Sequence, residues 1–215
     1  MPKPRKPANQ KPLKTLKIFC EGEKTEPNYL KGYIATLDSE ARKSVIEIEP
    51  TRKNTAVQLV DEAIKAKKSP ESLPDDEFWV VYDREGIAKY SDGLHSKAMN
   101  KANGSDVKVA VCNVCFEYWI LIHFVDTDAP YQSFEDLKNN SDLNREIKRV
   151  CGREYDKSST SLFDYLKILV PEARKRGARL NKRGIENAES GRNKPYQVNP
   201  YVGIVDLLDA IDKFT

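Results

Sequence analysis

The chain is poor in cysteine and histidine, and it lacks a long apolar run. It has four cysteines and two histidines in 215 residues. Because a membrane-spanning helix needs about 20 apolar residues, we expect no membrane partner. No apolar signal segment stands near the N-terminus, so we expect a cytoplasmic protein. So few cysteines do not make the disulfide framework of a small secreted domain, and we expect reduced thiols and no zinc site.

The chain also lacks a large excess of charge of either sign. It has 36 lysines and arginines against 33 aspartates and glutamates, for a formal net charge of +3. This balance excludes a strongly polycationic or polyanionic protein but permits a local basic face. The hydrophobic content of 39% suffices for a core. The length favours one domain, or one domain with an appended subdomain.

Short apolar runs alternate with helical patterns over the first 124 residues. We expect strands at residues 18–20, 45–49, 78–82 and 107–111. The first of the helices between them is predicted over residues 27–43. This alternation predicts an α/β fold, with a mostly parallel, Rossmann-like sheet and helices on both faces.

The remaining chain is predicted to be helical, and it is rich in base. Helices are expected at residues 134–137, 143–150, 161–176 and 201–214. We therefore divide the chain into a basic arm at 1–14, a core at 15–128, and a helical extension packed on the core at 129–215. The arm is either a solubilising tail or a contact to phosphate.

A group of basic residues in the extension has two interpretations. It is either a solvated helix face or a surface that binds nucleic-acid phosphates. Its members are Arg174, Lys175, Arg176, Arg179, Lys182 and Arg183.

Carboxylates follow two of the predicted strands. Glu21 and Glu23 follow the first, and Asp83 and Glu85 follow the third. An i, i+2 spacing in extended backbone places both side chains of a pair on one side. The pattern predicts a site for Mg²⁺ or Mn²⁺, while the alternative is that strand ends are simply polar. Glu117 is a third ligand, a general base, or an acid that favours a helix N-terminus.

Three motifs in order resemble the RloB-like family. They lie at residues 20–29, which begin Cys-Glu-Gly-Glu-Lys-Thr-Glu-Pro, at residues 80–85, and at residues 113–124. The resemblance implies a Toprim-like catalytic core, in which a glutamate follows the first strand and an Asp-x-Asp follows the third.

The family's functional residues carry over to this chain at matching positions. Glu21 matches the glutamate and Asp83 the first aspartate. Glu85 stands where a second aspartate is more usual. The glutamate keeps the negative charge, but its side chain is longer than that of aspartate. Lys157 is a candidate through the family's downstream Tyr-x-Lys pattern.

The resemblance also implies a function. It suggests a metal-dependent nuclease that cuts RNA, including tRNA, or DNA in antiphage defence or abortive infection. An ABC-type ATPase partner would control it, and a homo-oligomer is possible. The chain has no P-loop of its own. The rival is a non-catalytic subunit that binds nucleic acid or the ATPase, while nucleotidyl transfer has no support in the sequence.

Four other residues have competing interpretations. Lys24 would neutralise phosphate or pair with a carboxylate, and Glu26 would support the site. His123 is either a satisfied core residue or a contact to phosphate. His95 stands in a polar stretch and is expected to be exposed.

Overall fold

The computed structural model of the chain describes residues 13–38, 40, 43, 45–53 and 55–214. The predicted arm lies outside the described residues except for its last two. Residues of the described part form one sheet in the order β2-β1-β3-β4-β5. The strands are β1 (Leu16–Cys20), β2 (Ile46–Glu49), β3 (Glu77–Asp83), β4 (Lys108–Asn113) and β5 (Tyr201–Val202). The first four are parallel, and β5 is antiparallel to β4.

Helices cover both faces of this sheet, and more of them follow its fourth strand. The helices before β4 are α1 (Thr25–Ala35), α2 (Ala56–Lys67) and α3 (Asp92–Asn103). Those after it are α4 (Phe116–Phe124), α5 (Phe134–Asn140), α6 (Leu143–Cys151), α7 (Leu162–Leu166), α8 (Val170–Glu186) and α9 (Ile204–Lys213). The predicted α/β fold with a mostly parallel sheet and a helical C-terminal extension is confirmed.

The central strands are buried on both faces, as their continuous apolar runs predicted. Ile18 of β1 and Val81 of β3 face a core shared with α1, α4 and α9. Phe19 and Val80, one residue away in each strand, face a second core shared with α2 and α3. Two separate hydrophobic layers therefore hold the sheet edge that carries the carboxylates.

The cysteines are free, as predicted. Cys20, Cys112 and Cys115 are buried, and Cys151 is half-buried. Burial raises the pKa of the first three thiols well above the usual range. Buried thiols of this kind pack as small apolar groups.

The first helix is shorter than predicted. α1 ends at Ala35 and not near residue 43. Thr36 follows it, and its hydroxyl donates to the carbonyl of Tyr33 at 2.6 Å. A β-branched residue that bonds to nearby backbone is a weak helix former, which explains the early end.

The predicted helix at 161–176 is divided. It forms α7, a 3-10 turn at Lys167–Leu169 and α8, which continues to Glu186. Pro171 lies in the first turn of α8. Proline lacks the N–H that a continuous helix needs there, and its fixed φ suits a helix start.

The predicted helix at 201–214 begins with a strand instead. Tyr201 and Val202 form β5, and α9 starts only at Ile204. The intervening Gly203 lies against β4, where its N–H donates to the carbonyl of Val111 at 2.8 Å. A Cβ there would lie 2.7 Å from the backbone nitrogen of Val111, so glycine permits this approach.

The extension and the core share one sheet through β5. The predicted domain boundary at residue 128 stays a prediction, and the hydrophobic core continues across it, from Ile122 to Val205. In the part of the chain that the structure covers, no helix has the length and apolarity needed to cross a membrane.

Candidate metal and nucleic-acid site

A cleft of about 640 Å³ opens at the carboxyl ends of β1 and β3. The N-termini of α1 and α4 close its sides. Its lining includes six carboxylates, Glu21, Glu23, Glu26, Asp83, Glu85 and Glu117, and the cations Lys24, Lys89 and Lys157. Ligand sites of open α/β sheets lie at this edge of the sheet. The structure thus brings together every carboxylate that the sequence singled out.

Glu21 is placed by the parallel pairing of β1 with β3. Its own N–H donates to the carbonyl of Val81 at 2.9 Å. Its Oε2 accepts the backbone N–H of Asp83 at 3.1 Å. Burial, with repulsion from Glu85 and Glu26, raises the pKa of Glu21 to about 7. The carboxyl group of Glu21 is therefore hydrogen-bonded to the end of β3, and it is partly protonated near neutral pH.

Asp83 lies at the centre of this group of acids. Burial, followed by repulsion from Glu26, Glu117, Glu21 and Glu85, raises its pKa well above the usual range. Like charges that share a site disfavour ionisation of each other. A cation in the cleft would relieve this repulsion.

Glu85 reaches the cleft by a different route from the predicted one. β3 ends at Asp83, and Glu85 has a left-handed φ of 57°. The extended i, i+2 argument is therefore wrong for this pair. Glu85 still lines the cleft, where its carboxylate pairs with Lys89 at 2.7 Å.

Glu26 is buried and lies over the turn after β1. Burial, with repulsion from Glu117, raises the pKa of Glu26. A Cβ added to Gly22 would collide with this carboxylate, so the glycine of the first motif provides space for the acid. Glu23 and Lys24 line the same cleft but are exposed to solvent.

Glu117 is almost fully buried, with 1% of its surface exposed. Its Oε1 accepts the hydroxyl of Tyr155 at 2.8 Å and lies 3.1 Å from Nζ of Lys157. Its Oε2 is buried and has no hydrogen-bond partner among the described residues. One oxygen of this carboxylate is therefore satisfied, and the other is buried without a partner among the described residues.

Lys157 enters the cleft from the loop between α6 and α7. Its carbonyl accepts the hydroxyl of Thr25 at 3.2 Å, which holds the loop on α1. Its ammonium also lies 3.7 Å from the ring centroid of Phe134. Burial acts to lower the pKa of Lys157, but the adjacent Glu117 raises it overall. Lys157 is thus a resident positive charge in the cleft.

The two histidines both lie away from this cleft. His123 is buried, with Nε2 3.1 Å from the hydroxyl of Tyr29 and Nδ1 2.8 Å from the carbonyl of Trp119. These contacts favour its interpretation as a core residue. Burial lowers its pKa to about 4, so it is neutral at pH 7.

The expectation that His95 is exposed is wrong. Only 1% of its surface is exposed. Its ring stacks between Tyr82 and Tyr196, with centroids 5.7 Å and 5.9 Å away. Tyr196 is about 100 residues later in the chain, so the polar local sequence gave no sign of this burial.

The basic residues of α8 have partners. Arg174 pairs with Asp209 and Asp212, and Arg179 pairs with Asp126 at 2.8 Å. Arg176 donates to the carbonyls of Ile122 and His123. Lys175, Lys182 and Arg183 lie within 4 Å of Glu172, Glu186 and Asp128. None of the six lines the carboxylate cleft. Their role in nucleic-acid binding stays a prediction.

A family model supports the resemblance of the motifs. The model described as "RloB-like protein" matches residues 16–211, nearly the whole chain. The chain belongs to the RloB-like family. No curated protein and no solved structure matches it. The Toprim-like nature of its fold therefore stays a prediction.

The chemistry of this RloB-like cleft fits a hard divalent cation. Its donors are carboxylate oxygens, which Mg²⁺ and Mn²⁺ prefer. A cation would lower the raised pKa of Asp83 and would give the unpaired Oε2 of Glu117 a partner. Within residues 13–214, leaving aside the undescribed positions, no three His, Cys, Asp or Glu side chains are yet arranged as a ligand set. To bind a metal ion, Glu21 would have to leave its hydrogen bond with the N–H of Asp83, and Glu85 would have to leave its ion pair with Lys89.

Sequence reasoning missed two residues that contact the cleft acids. Lys89 follows Glu85 by four residues, a spacing that commonly pairs opposite charges. Tyr155 was noted only as part of a downstream pattern, and its hydroxyl orients Glu117. The first has a local signal in the sequence, whereas the second depends on a loop 38 residues away.

Proposed function

We propose that this chain is a metal-dependent nuclease that hydrolyses phosphodiester bonds. The observation that carries the proposal is the group of buried and half-buried carboxylates around Asp83. Burial, together with repulsion among these acids, raises the pKa of Asp83 and that of Glu21. Natural proteins seldom keep such an arrangement without a ligand that requires it.

Glu21, Asp83 and Glu85 would hold the Mg²⁺ or Mn²⁺ ion, with Glu117 near them. When bound, the ion supplies Lewis acidity toward a phosphoryl oxygen. Lys157 and Lys24 line the same cleft and would offset the negative charge of the phosphate. Glu117, whose Oε1 accepts the hydroxyl of Tyr155, would accept a proton from the attacking water.

The substrate and partner follow from the family resemblance. The substrate would be RNA, including tRNA, or DNA, cut in the course of antiphage defence. The resemblance also suggests that an ABC-type ATPase would control the reaction, and the sequence contains no P-loop of its own. The protein would act in the cytoplasm, with a homo-oligomer as one possible assembly.

A second candidate function has an observation of its own. Two of the cleft acids, Glu85 and Glu117, already pair with Lys89 and Lys157, and the described side chains do not form a ready ligand set. A non-catalytic subunit that keeps the fold and docks on an ATPase or a nucleic acid would have the same features. The two candidates differ in whether the cleft acids are needed for cleavage.

The test is a cleavage assay with the full chain, alone and with its neighbouring ATPase. Labelled total tRNA and plasmid DNA are incubated in Mg²⁺, in Mn²⁺ or in EDTA. The proposal predicts cleavage that requires the metal and disappears in Glu21→Gln/Asp83→Asn. Absence of cleavage in either metal, with the ATPase present, would favour the docking subunit.

A further inference from the structure

A second groove adjoins the carboxylate cleft. It has a volume of about 480 Å³ and shares Gly22 and Glu23 with the cleft. Its other walls are α1, the end of β2 and the loop that follows β2, which contribute Lys31 and Arg52. The cleft and the groove form one continuous depression across the carboxyl ends of β3, β1 and β2.

The two basic residues of this groove have no acidic partner. Lys31 and Arg52 are exposed, and neither has an ion-pair partner within 4 Å in the described part of the chain. Two acids line the groove: Glu49 is already paired with Lys17 at 3.2 Å, and Glu23 is exposed to solvent. The side chains of Lys31 and Arg52 can therefore bind an anion without first losing an acidic partner. They lie one strand away from the acids of the cleft.

The situation on α8 is the reverse, although its bases are denser in the sequence. Arg174 is held by two aspartates, and Arg179 by Asp126. An arginine or lysine already neutralised by a carboxylate must lose that partner before it binds phosphate. The unpaired cations of the groove have no such cost, so the groove is the better binding surface for a polyanion.

We infer that Lys31 and Arg52 bind the backbone phosphate next to the one that is cut. This inference rests on the proposed nuclease function and extends it to the path of the nucleic-acid strand. Neighbouring parallel strands lie about 4.8 Å apart. A strand of RNA or DNA with its scissile phosphate over Asp83 would therefore bring the next nucleotide over the groove.

The groove recognises the backbone of the strand and not its bases. The apolar residues in its lining are Pro27, Ile48 and Pro50, and it contains no aromatic ring for base stacking. Contacts to phosphate fix the position of a strand but carry no sequence information. The ligand chemistry is therefore a phosphodiester backbone, which RNA and DNA share.

The test measures binding to fluorescein-labelled RNA and DNA single strands of one sequence by fluorescence anisotropy. The parent protein is the full chain with Glu21→Gln/Asp83→Asn, so that the strands stay intact in Mg²⁺. Lys31→Gln/Arg52→Gln is added to this parent. The expected result is about tenfold weaker binding, with the slope of log K against log salt reduced by about 1.4. Comparison of the RNA with the DNA strand shows which of the two nucleic acids the groove binds more tightly.

Two further variants make the comparison specific. Lys65→Gln/Lys68→Gln removes the same charge from unpaired lysines at the end of α2, near the opposite edge of the sheet. Lys175→Gln/Lys182→Gln removes it from α8. Both should bind as the parent does. Circular dichroism melting confirms that each variant is folded.

The outcomes separate this inference from the proposed function. If the groove variant binds like the parent, or if only the α8 variant weakens binding, the inference is overturned, and metal-dependent cleavage by the wild type still supports the nuclease. If the parent binds neither strand, the inference is also overturned. The cleavage assay then decides the nuclease function by itself.

Discussion

The carboxylate cleft and the outer face of α8 hold charge in opposite ways. In the cleft, acids that are far apart in sequence lie close together, and burial together with repulsion raises the pKa of Asp83 and of Glu26. On α8, each of the six predicted bases has a carboxylate or a carbonyl partner, as Arg174 has in Asp209 and Asp212. Like charges therefore repel one another in the cleft, whereas the charges on α8 are neutralised by partners.

This difference shows that the density of charge in a sequence does not measure its availability. The bases of α8 are conspicuous in the sequence, yet Arg174, Arg179 and Arg183 have their partners in α9 and in the loop after α4. The acids of the cleft are sparse in the sequence, and the parallel strands bring them together. We therefore assign a role in stability to the bases of α8 and a role in chemistry to the acids of the cleft. Four predictions test this assignment.

The largest expected effect is the loss of cleavage in Glu21→Gln/Asp83→Asn. Since a metal ion supplies several kcal/mol of charge stabilisation, we expect activity to fall by about 10³-fold or more. The same change removes mutual repulsion, so the melting temperature at pH 8 should not fall. Cleavage rates and thermal melts check the two parts. Glu172→Gln/Asp126→Asn near α8 is the matched control, and equal loss of activity there would break the comparison.

Arg174→Met should lower the free energy of unfolding without affecting cleavage. Arg174 also donates to the hydroxyl of Tyr33 at 2.9 Å, and its side chain is only 25% exposed. Its loss removes the cation beside Asp209 and Asp212, at a cost of about 1–3 kcal/mol. Urea unfolding measures this cost.

The control for Arg174 lies on the same helix. Lys182 is 76% exposed and only 3.9 Å from Glu186, so Lys182→Met should cost less than about 0.5 kcal/mol. Similar losses for the two variants would contradict a structural role that is particular to Arg174.

The stability of the fold should decrease as the pH rises, because of Glu21. Its pKa is about 7 in the folded chain and 4.5 in an ordinary environment. The folded state therefore binds the proton more tightly, and the stabilisation present below pH 4.5 is lost as the pH rises through 7. After discounting for solvent exposure, we expect about 1–2 kcal/mol.

Urea midpoints between about pH 5 and pH 8 measure this loss in metal-free buffer. Glu21→Gln should show a shallower decline than the wild type, and added Mg²⁺ should restore part of the stability. Parallel declines in the two proteins would show that repulsion at Glu21 is not the cause.

The smallest expected effect is on metal affinity in Lys157→Met. Lys157 lies 3.1 Å from Glu117 and opposes a second cation in the cleft. Its removal should tighten Mn²⁺ binding by about three- to tenfold. Calorimetric titration measures the change, with Lys157→Arg and the distant Lys148→Met as controls. Weaker binding in Lys157→Met would show that the lysine organises the ligands and does not compete with the metal.

The sequence predicted the sheet and the meeting of its carboxylates. The strands β1 and β3 are apolar on both faces, β2 alternates apolar and charged residues, and the alternation of strands with helices places Glu21 and Asp83 at one edge. This inference succeeds because it depends only on local patterns and the geometry of parallel strands.

The features that sequence reasoning missed depend on contacts between distant residues. β5 has two residues, and only its pairing with Cys112 and Asn113 makes it a strand. The burial of His95 depends on Tyr196, and the neutralisation of Arg179 depends on Asp126. No local periodicity encodes such contacts.

The most direct test of the account is a calorimetric titration of Mn²⁺ into three proteins. These are the wild type, Glu21→Gln/Asp83→Asn, and the α9 variant Asp209→Asn/Asp212→Asn, which removes two acids beside α8. The account predicts binding in the wild type and in the α9 variant, and its loss in the cleft variant. Absence of binding in the wild type, or equal binding in the cleft variant, would contradict the claim that the crowded carboxylates form a metal site.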